Sequence, residues 1–565
     1  MPELYLNTRS KANSTYDAIV IGSGITGGWA AKELCEKGLK VIMMERGGDY
    51  KHIRDYKSPN PWELEHRGKR MQADAVDKID ISGWMAGEAT SKSWVGNEEH
   101  PYTEEKPFKW VRTYRLGGRS TMWSRQCYRW SDLDFEANGK EGIGSDWPIR
   151  YKDLASWYDY AELFAGINGS IENIPHLPDG KFLPPMQLNI VEKAAKKALE
   201  ATFSNRKLII GRSANLTAPL PGRGSCQYRN RCWEGCQFGA YFSTQSSTLP
   251  AAVKTNNLTI SVNSIVSSIL YDKDTKKAIG VEIVDTTNNQ TYEYYAKIVF
   301  VCASALNSNY VLMNSANNVW ENGLGSSSGE LGHGIMDHHY NIGANGAFDG
   351  YEEFTTYGGR PNGIYIPRFA NVGSDKRDYL RGFGYQGGAG RGGWARGTNE
   401  AGLGVDFKES ISRPGQWHMG ITGFGEVLPD HANRVYLDNS KKDKYGLPYL
   451  VADCELKENE LKMRVDIKTE AQVMLEAAGC TNVKSYDGGH DMGHGIHEMG
   501  GARMGRDAKT SVLNMHNQIW DAKNVFVTDG ACMASSACVN PSLTYMALTA
   551  RAANFAFEEL KKQNL

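Results

Sequence analysis

The feature that most constrains the fold is the sequence YDAIVIGSGITGGWAAKELCEKGLKVIMMERGG, at residues 16–48. It contains AIVIG, a short apolar run typical of a buried parallel strand. Gly22, Gly24 and Gly27 follow at G-x-G-x-x-G spacing, and the apolar periodicity after them predicts a helix. A second apolar run, KVIMME, ends in Glu45, 23 residues after Gly22. The order strand, glycines, helix, strand and acid predicts the first βαβ unit of a doubly wound α/β domain.

This unit also predicts a dinucleotide site, because its glycines and its acid each have a mechanical role. Gly22 permits a tight turn, Gly24 lets the backbone approach a pyrophosphate, and Gly27 lets helix pack on strand. The carboxylate of Glu45 is placed to accept hydrogen bonds from a ribose. The N-terminal position of the unit and the length of the chain favour FAD over NAD. NVFVTDGACM (524–533) predicts a strand that returns to this domain and ends at Asp529.

The composition argues against two classes of function. The chain has 565 residues, enough for two or three packed units, with 41% hydrophobic and 23% charged residues. Its 64 basic and 65 acidic residues give a net charge of −1, so no surface for nucleic acid is predicted. No apolar run has membrane-spanning length, and the first residues lack the apolar core of a secretory signal, so we expect neither feature.

The stretch CQYRNRCWEGC, residues 226–236, differs in composition from the rest of the chain. Cys226, Cys232 and Cys236 lie six and then four residues apart, whereas the other seven cysteines are scattered singly. Zinc sites usually have four ligands, and disulfide scaffolds use even sets in short secreted chains. Three thiolates are also enough for an iron–sulfur cluster of the three-iron type. The spacing alone leaves zinc, iron and three structural thiols open.

Seven blocks in order along nearly the whole chain resemble the glucose–methanol–choline (GMC) oxidoreductase family. Besides the N-terminal unit they are YRLGGRSTMW (114–123), SDWPIRYKDLASWY (145–158), VFVCASALNSNYVLMNSAN (299–317), LGHGIMDHH (331–339), HEMGGARMG (497–505) and ACVNPSLTYMAL (537–548). Members of this family are flavoenzymes that oxidise alcohols, including sugars. The resemblance therefore implies an FAD-dependent sugar dehydrogenase acting on CH–OH donors.

The resemblance also implies a discontinuous FAD-binding domain, Rossmann-like, interleaved with an α+β substrate domain on a mostly antiparallel sheet. The FAD-binding segments are predicted at 1–50, 100–135, 206–345 and 490–565, with the cysteine-rich loop at 224–240. The substrate-domain segments are predicted at 51–99, 136–205 and 346–489. Within the latter domain, the glycines and alternating runs of 340–430, such as GIYIPRF, predict strands and turns without helices. Helical periodicity marks residues 186–204 and 455–479.

The block HEMGGARMG supplies the predicted catalytic residue. By resemblance its first residue, His497, takes the hydroxyl proton of the alcohol, and Asn540 in CVNPSLT is its polar partner. A histidine suits this proton transfer, and an asparagine hydrogen-bonds the hydroxyl without competing for the proton. From spacing alone, His490, His494 and His497 are equally well ordinary polar residues of a glycine-rich loop. His494 and His497 also have the spacing of a metal pair, but Gly495 between them argues against a ligand-bearing helix.

The block YRLGGRSTMW is predicted to pass beside the flavin ring. The predicted cofactor contacts outside the N-terminal unit are Gly117, Gly118, Ser120, Met122, Val262 and Asp529. In the related pyranose oxidases a histidine in a similar Ser-Thr-His-Trp stretch bonds covalently to FAD. Met122 stands at that position here, and its thioether cannot form the link, so FAD is predicted to be non-covalent. Asp337 and His338 are assigned a structural role near the flavin or the domain boundary.

The cysteine loop has counterparts in iron–sulfur-containing bacterial sugar dehydrogenases of the same family. Their catalytic subunits have cysteines at the same six-and-four spacing, so the resemblance implies a 3Fe-4S cluster on Cys226, Cys232 and Cys236. An additional cysteine and a proline of that motif are replaced here by Ser225 and Gln237.

Such a cluster predicts a dehydrogenase and not an oxidase, because it passes single electrons to a protein acceptor. The resemblance implies a cytochrome c-type acceptor and a small accessory subunit that bears the export signal. Co-export with that subunit implies the periplasm, and the cytoplasm is the alternative.

HEMGGARMG and the stretches after it look most like the glucoside 3-dehydrogenases, which oxidise the C3 hydroxyl of glucosides to a ketone. The alternatives are a glucose 1-dehydrogenase, a gluconate 2-dehydrogenase, an oxygen-using pyranose oxidase-like enzyme and a redox-inactive flavin module. The residues that offer a sugar stacking surfaces and hydrogen bonds, or that simply pack the fold, are Tyr357, Tyr385, Gln386, Trp394 and Trp417.

Overall fold

The structure is a computed structural model that describes residues 16–56, 60, 63–65, 88, 90–356, 358–393, 396–397 and 400–565. In chain order its strands are β1 (Tyr16–Ile21), β2 (Val41–Met44), β3 (Tyr102–Glu104), β4 (Ile209–Ile210), β5 (Leu258–Ser261), β6 (Ser264–Asp272), β7 (Lys277–Asp285), β8 (Gln290–Val301), β9 (His333–Met336), β10 (Ile342–Phe348), β11 (Ile364–Ile366), β12 (Phe383–Arg391), β13 (Trp417–Gly425), β14 (Arg434–Lys442), β15 (Pro448–Asp453), β16 (Thr481–Asp487), β17 (Met499–Gly501) and β18 (Val525–Val527).

The α-helices are α1 (Ile25–Glu36), α2 (Asp132–Phe135), α3 (Ala137–Glu141), α4 (Tyr151–Ala165), α5 (Ile190–Thr202), α6 (Thr248–Lys254), α7 (Ala305–Asn314), α8 (Gly404–Ser412), α9 (Glu458–Ala477) and α10 (Ser542–Lys561). Short 3₁₀ helices lie at Ser91–Ser93, Gly118–Thr121, Cys232–Glu234 and Gly530–Cys532. Within the part of the chain that the structure describes, no helix is both long and apolar enough to cross a membrane.

The first sheet contains the predicted dinucleotide unit. Its strand order is β5-β2-β1-β8-β7-β6, with β18 paired to β8. β1 runs parallel to β2 and β8, and α1 connects β1 to β2. Ile19 and Ile21 point into one hydrophobic cluster, whereas Ala18 and Val20 point into another. Both faces of β1 are therefore buried, which confirms the prediction of a doubly wound domain.

The second sheet is antiparallel and forms the body of the other unit. Its strand order is β16-β10-β13-β12-β11-β4, and every adjacent pair in it is antiparallel. Helix α9 packs on this sheet, where Met463 and Ile467 join a cluster with Ile342 and Ile421. The prediction of an α+β unit on a mostly antiparallel sheet is confirmed, and α5 and α9 form within the two stretches of predicted helical periodicity.

The third sheet brings two distant loops together. Its strand order is β17-β9-β14-β15-β3, and β17 pairs antiparallel with β9. In that pairing Met499 lies opposite Met336. Continuing the antiparallel register by two residues beyond Met336 places His338 opposite His497. The sheet thus fixes the neighbourhood of the predicted catalytic histidine.

One helix departs from the sequence prediction. The expectation of strands and turns without helices across 340–430 is wrong at α8. None of the residues of α8 is fully buried, and Gly402 and Gly404 at its start are typical of the turns that the sequence predicts there. Asp406 in its first turn is a favourable charge for the helix N-terminus.

Candidate active site

One continuous cavity contacts both the glycine turn after β1 and the loop that carries His497. The predicted site residues that line it are Gly22, Gly24, Glu45, Gly118, Ser120, Met122, His497, Asp529 and Asn540. Segments that are hundreds of residues apart in the chain therefore meet around one space. Gly27, Gly117 and Val262 are not among its lining residues. Val262 is buried in the hydrophobic cluster that covers one face of the first sheet.

The three glycines of the N-terminal turn have different surroundings. Gly22 has a left-handed φ of +92°, and a Cβ there would lie 2.4 Å from the Cys302 carbonyl oxygen. A Cβ on Gly27 would lie 1.9 Å from the Gly22 carbonyl oxygen, so Gly27 is needed for close packing. A Cβ on Gly24 would meet no atom within 4 Å, because this residue faces the cavity. The open side of Gly24 is where a pyrophosphate can approach the N-terminus of α1.

Glu45 connects the glycine turn to the neighbouring loop. Its Oε2 accepts hydrogen bonds from the Ser23 backbone N–H, at 3.2 Å, and from the Ser23 hydroxyl. Its Oε1 accepts from the Gly47 N–H at 2.7 Å. Ser23 Oγ in turn accepts from the Gly117 N–H at 2.8 Å, which explains the place of Gly117 behind the cavity wall. Burial raises the pKa of Glu45, and the bonds from Ser23 and Gly47 oppose that rise.

At another part of the wall, Asp529 caps the 3₁₀ turn Gly530–Cys532. Its Oδ1 accepts from the Ala531 N–H at 3.0 Å, and its Oδ2 accepts from the Ser308 hydroxyl at 2.5 Å. Burial raises the pKa of Asp529 to about 6. Thr113 also lines the cavity, and its buried hydroxyl has no hydrogen-bond partner among the described residues. An open glycine turn, an acid beyond it and this hydroxyl fit a bound dinucleotide such as FAD.

The predicted catalytic pair is brought together. Asn540, just before α10, lies with its Nδ2 3.2 Å from His497 Nε2. Both side chains line the cavity, His497 partly buried and Asn540 buried. Desolvation lowers the pKa of His497 well below its usual value; the Arg119 cation lowers it further, as His338 does only when it is itself protonated. His497 is therefore neutral at physiological pH and able to accept a proton.

Two polar neighbours of this pair were not predicted as such from the sequence. His338 Nδ1 lies 2.9 Å from His497 Nδ1, and Gln386 Nε2 donates to Asn540 Oδ1 at 2.6 Å. Each partner is more than 150 residues away in the chain, so local spacing carries no signal of these contacts. The MDHH match located His338 near the site, but its expected role was structural.

The loop that carries His497 is fixed by a buried carboxylate. Asp337 accepts hydrogen bonds from the backbone N–H of Gly493 and Gly495, at 2.8 and 3.0 Å, through Oδ2. Its Oδ1 accepts from the His497 N–H at 2.9 Å. Burial raises the pKa of Asp337 to about 7, with the Glu498 carboxylate as a further cause. Asp337 therefore positions the backbone of the loop that carries His497.

An ion pair lies beside the same loop. Arg119, which lines the cavity, donates to both carboxylate oxygens of the buried Glu498, at 3.2 and 2.8 Å. It also donates to the Ser304 hydroxyl at 2.9 Å. Arg119 belongs to YRLGGRSTMW and Glu498 to HEMGGARMG, so this pair joins two of the sequence blocks at the cavity wall.

The cysteine loop adjoins the cavity near Met122 and Ile496. Trp233, between Cys232 and Cys236, packs with Ile496 against a small buried cluster that contains Met122. Burial raises the pKa of Cys226, and the neighbouring thiols of Cys232 and Cys236 raise it further.

The three thiols do not close into a ligand set. Across the described residues, no group of three or more His, Cys, Asp or Glu side chains is arranged to hold a metal ion. Cys226 Sγ accepts a hydrogen bond from the Tyr228 N–H at 3.4 Å, and all three cysteines are partly exposed.

The residues that the sequence suggested for sugar contact lie in different places. Gln386 lines the cavity, whereas Tyr385 and Trp417 belong to the core of the second sheet. Tyr357 and Trp394 lie outside the described residues.

His494 packs against His490, with ring centroids 4.3 Å apart, rather than against His497.

A dinucleotide cavity that reaches a histidine–asparagine pair defines an FAD-dependent oxidoreductase acting on CH–OH donors. Comparison with known proteins agrees, since a family model described as GMC oxidoreductase matches residues 16–340 and another of the same description matches 429–549. The chain belongs to the GMC oxidoreductase family.

Individual relatives cover nearly the whole chain. It is 27% identical over 558 residues to 2-methyl-1,2-propanediol dehydrogenase of Mycolicibacterium austroafricanum, which covers 95% of this chain and 94% of that protein. It is 25% identical over 558 residues to the fructose dehydrogenase large subunit of Gluconobacter japonicus, with 97% and 98% covered. Pyridoxine 4-oxidase from Mesorbium loti has the same fold, with a TM-score of 0.54 and 14% identity over 96% of this chain and 99% of that one.

Proposed function

We propose that the protein oxidises a secondary hydroxyl of glucose or a glucoside, at C3, to a ketone. The observation that carries the reaction type is the neutral His497, whose Nε2 faces Asn540 at the cavity. The similarity to a fructose dehydrogenase subunit supports a sugar as the substrate. The similarity of HEMGGARMG and its neighbours to glucoside 3-dehydrogenases supports C3.

In the proposed reaction the substrate hydroxyl inserts between His497 and Asn540. His497 Nε2 takes the hydroxyl proton, and Asn540 Nδ2 donates a hydrogen bond to the same oxygen. Bound FAD would supply the acceptor, its flavin N5, for the hydrogen on the carbinol carbon as a hydride. Loss of one proton and one hydride converts the alcohol to a ketone.

We propose that FAD lies along the cavity with its pyrophosphate at Gly24 and its ribose near Glu45. Gly118, Ser120 and Met122 contact the flavin in this proposal. Met122 lines the cavity and is otherwise buried in an apolar cluster, which supports a non-covalent contact.

The first experiment identifies the product. Anaerobic protein with an artificial one-electron acceptor is incubated with glucose, methyl glucoside and a disaccharide, and the products are located by NMR. We expect a ketone at C3 in each case. A lactone would indicate oxidation at C1, and a 2-keto product in a parallel incubation with gluconate would indicate a gluconate 2-dehydrogenase. Rapid peroxide formation without the acceptor would indicate an oxidase.

We further propose that Cys226, Cys232 and Cys236 hold a 3Fe-4S cluster. Their spacing and the packing of Trp233 beside Met122 support it. Ligation requires the loop to close around the cluster, because the three thiols do not form a ligand set in the structure. A cluster at this position supplies one-electron transfer, which fits a cytochrome c-type acceptor. An accessory subunit and co-export to the periplasm belong to the same proposal.

The cluster proposal predicts a measurable metal content. Protein prepared anaerobically and reconstituted should contain about three irons and four acid-labile sulfides per chain. Cys232→Ala should remove most of this iron and leave the flavin absorbance intact, because Cys232 contributes a ligand but no cofactor contact. Cys480→Ala is the matched control, since Cys480 lies in the core of the second sheet and should leave the iron unchanged. Fully flavinated wild-type protein without iron or sulfide would exclude the cluster.

A further inference from the structure

Hydrogen bonds connect His497, through His338, to a backbone carbonyl oxygen that can only accept a hydrogen bond. His338 Nε2 contacts the carbonyl oxygen of Ala537, and His338 Nδ1 contacts His497 Nδ1 at 2.9 Å. A carbonyl oxygen accepts hydrogen bonds and never donates them. The proton of a neutral His338 ring must therefore be on Nε2, and its Nδ1 presents a lone pair to His497.

This arrangement determines the tautomer of His497. A neutral imidazole has one protonated and one unprotonated nitrogen. Because His338 Nδ1 is an acceptor, His497 Nδ1 must be the donor. His497 Nε2 then carries the lone pair, and this is the nitrogen beside Asn540.

We propose that His338 is a positioning residue that holds His497 in the tautomer whose Nε2 is free to take the substrate proton. The inference rests on the proposed function of His497 as the base. His338 stays out of contact with the substrate in this scheme and acts only through His497. After proton transfer the Nδ1–H of His497 remains bonded to His338, so the positive imidazolium keeps an acceptor.

On the other side of His497, the side-chain amide of Gln386 orients the side-chain amide of Asn540. Gln386 donates from Nε2 to Asn540 Oδ1, so the Asn540 amide turns its Nδ2 toward His497. Asn540 therefore offers a donor to the His497 nitrogen that His338 leaves unprotonated. The Asn540 orientation set by Gln386 therefore agrees with the His497 tautomer set by His338, although the two residues lie in different segments of the chain.

The electrostatics support a neutral His338. Burial lowers the pKa of His338 to about 4, opposed only by the Ala537 carbonyl. The charged and titratable neighbours of the two rings are Arg119, which pairs with Glu498, together with Asp337 and His339. Burial lowers the pKa of His339 to about 3, so it adds no charge at neutral pH.

The test compares His338→Phe, which fills the space without an acceptor, with His338→Asn, which restores an acceptor near Nδ1. The measurement is the rate of flavin reduction by saturating substrate in anaerobic stopped flow. We expect His338→Phe to lower this rate about 10- to 100-fold with little change in KM. We expect His338→Asn to stay within about threefold of the wild type. His339→Phe, at an equally buried neighbour, is the control for packing.

The pH dependence of kcat/KM distinguishes a loss of the hydrogen bond from a loss of packing. Losing the acceptor weakens the Nδ1–H bond and makes Nε2 less basic, so the acidic limb of the kcat/KM profile should shift to lower pH in His338→Phe. In His338→Asn the limb should stay near that of the wild type.

Three results would overturn the inference: a wild-type rate in His338→Phe, equal losses in both variants, or an unshifted acidic limb in His338→Phe. Flavin content and unfolding temperature establish that each variant is folded. If His497→Ala is also fully active, the proposed function fails; if only His338→Phe is active, the inference alone fails.

Discussion

Replacing His497 by alanine is expected to reduce the rate of flavin reduction by substrate about 10²- to 10⁴-fold, the usual contribution of a general base. His497 is the neutral imidazole at the cavity, and its Nε2 is 3.2 Å from Asn540 Nδ2. Alanine removes the proton acceptor and leaves the glycine turn and Glu45 untouched. FAD content, measured by absorbance, should therefore stay close to that of the wild type.

His494→Ala is the control for the loss of a histidine from the same loop. His494 lies three residues before His497 and packs against His490, so its loss should change the rate only about threefold or less. A His497→Ala protein that retains more than half of the wild-type rate would exclude His497 as the base. Equal losses in the two variants would instead indicate that the loop and not the imidazole is responsible.

The sequence predicted the structure correctly where an element is specified by residues that are close together in the chain. The strand, three glycines and acid of residues 16–48 fold as expected because a βαβ unit is specified by residues close in the chain. The helices α5 and α9 were predictable since one face of each is buried. Helix α8 was missed because Gly402 and Gly404 at its start are typical of a turn and none of its residues is fully buried.

The catalytic environment was less predictable because it depends on pairing between distant segments. His338 reaches His497 through the register of β9 and β17, and Gln386 reaches Asn540 from the second sheet. Neither the strand register nor the relative position of two sheets can be derived from local residue patterns. The family resemblance pointed to His497 and Asn540 as the proposed catalytic pair, whereas the side chains that contact them were found only in the structure.

Gly24→Ala is expected to weaken FAD binding about tenfold or more without destabilising the apoprotein. A Cβ at Gly24 meets no protein atom within 4 Å, so the folded chain accommodates it. In the proposed binding mode the same Cβ projects where the pyrophosphate approaches the N-terminus of α1. Titration of apoprotein with FAD measures the affinity, and thermal unfolding of the apoprotein measures its stability.

Gly27→Ala should give the reverse pattern and so separates the two roles of the glycines. Its Cβ would lie 1.9 Å from the Gly22 carbonyl oxygen, and backbone must move to relieve the contact. We expect the apoprotein to lose about 1–3 kcal/mol of stability or more. Gly390→Ala, an open glycine on β12 outside the cavity, should change neither quantity. Wild-type FAD affinity in Gly24→Ala would mean that the pyrophosphate does not pass Gly24, because a methyl group at the point of closest approach cannot be neutral.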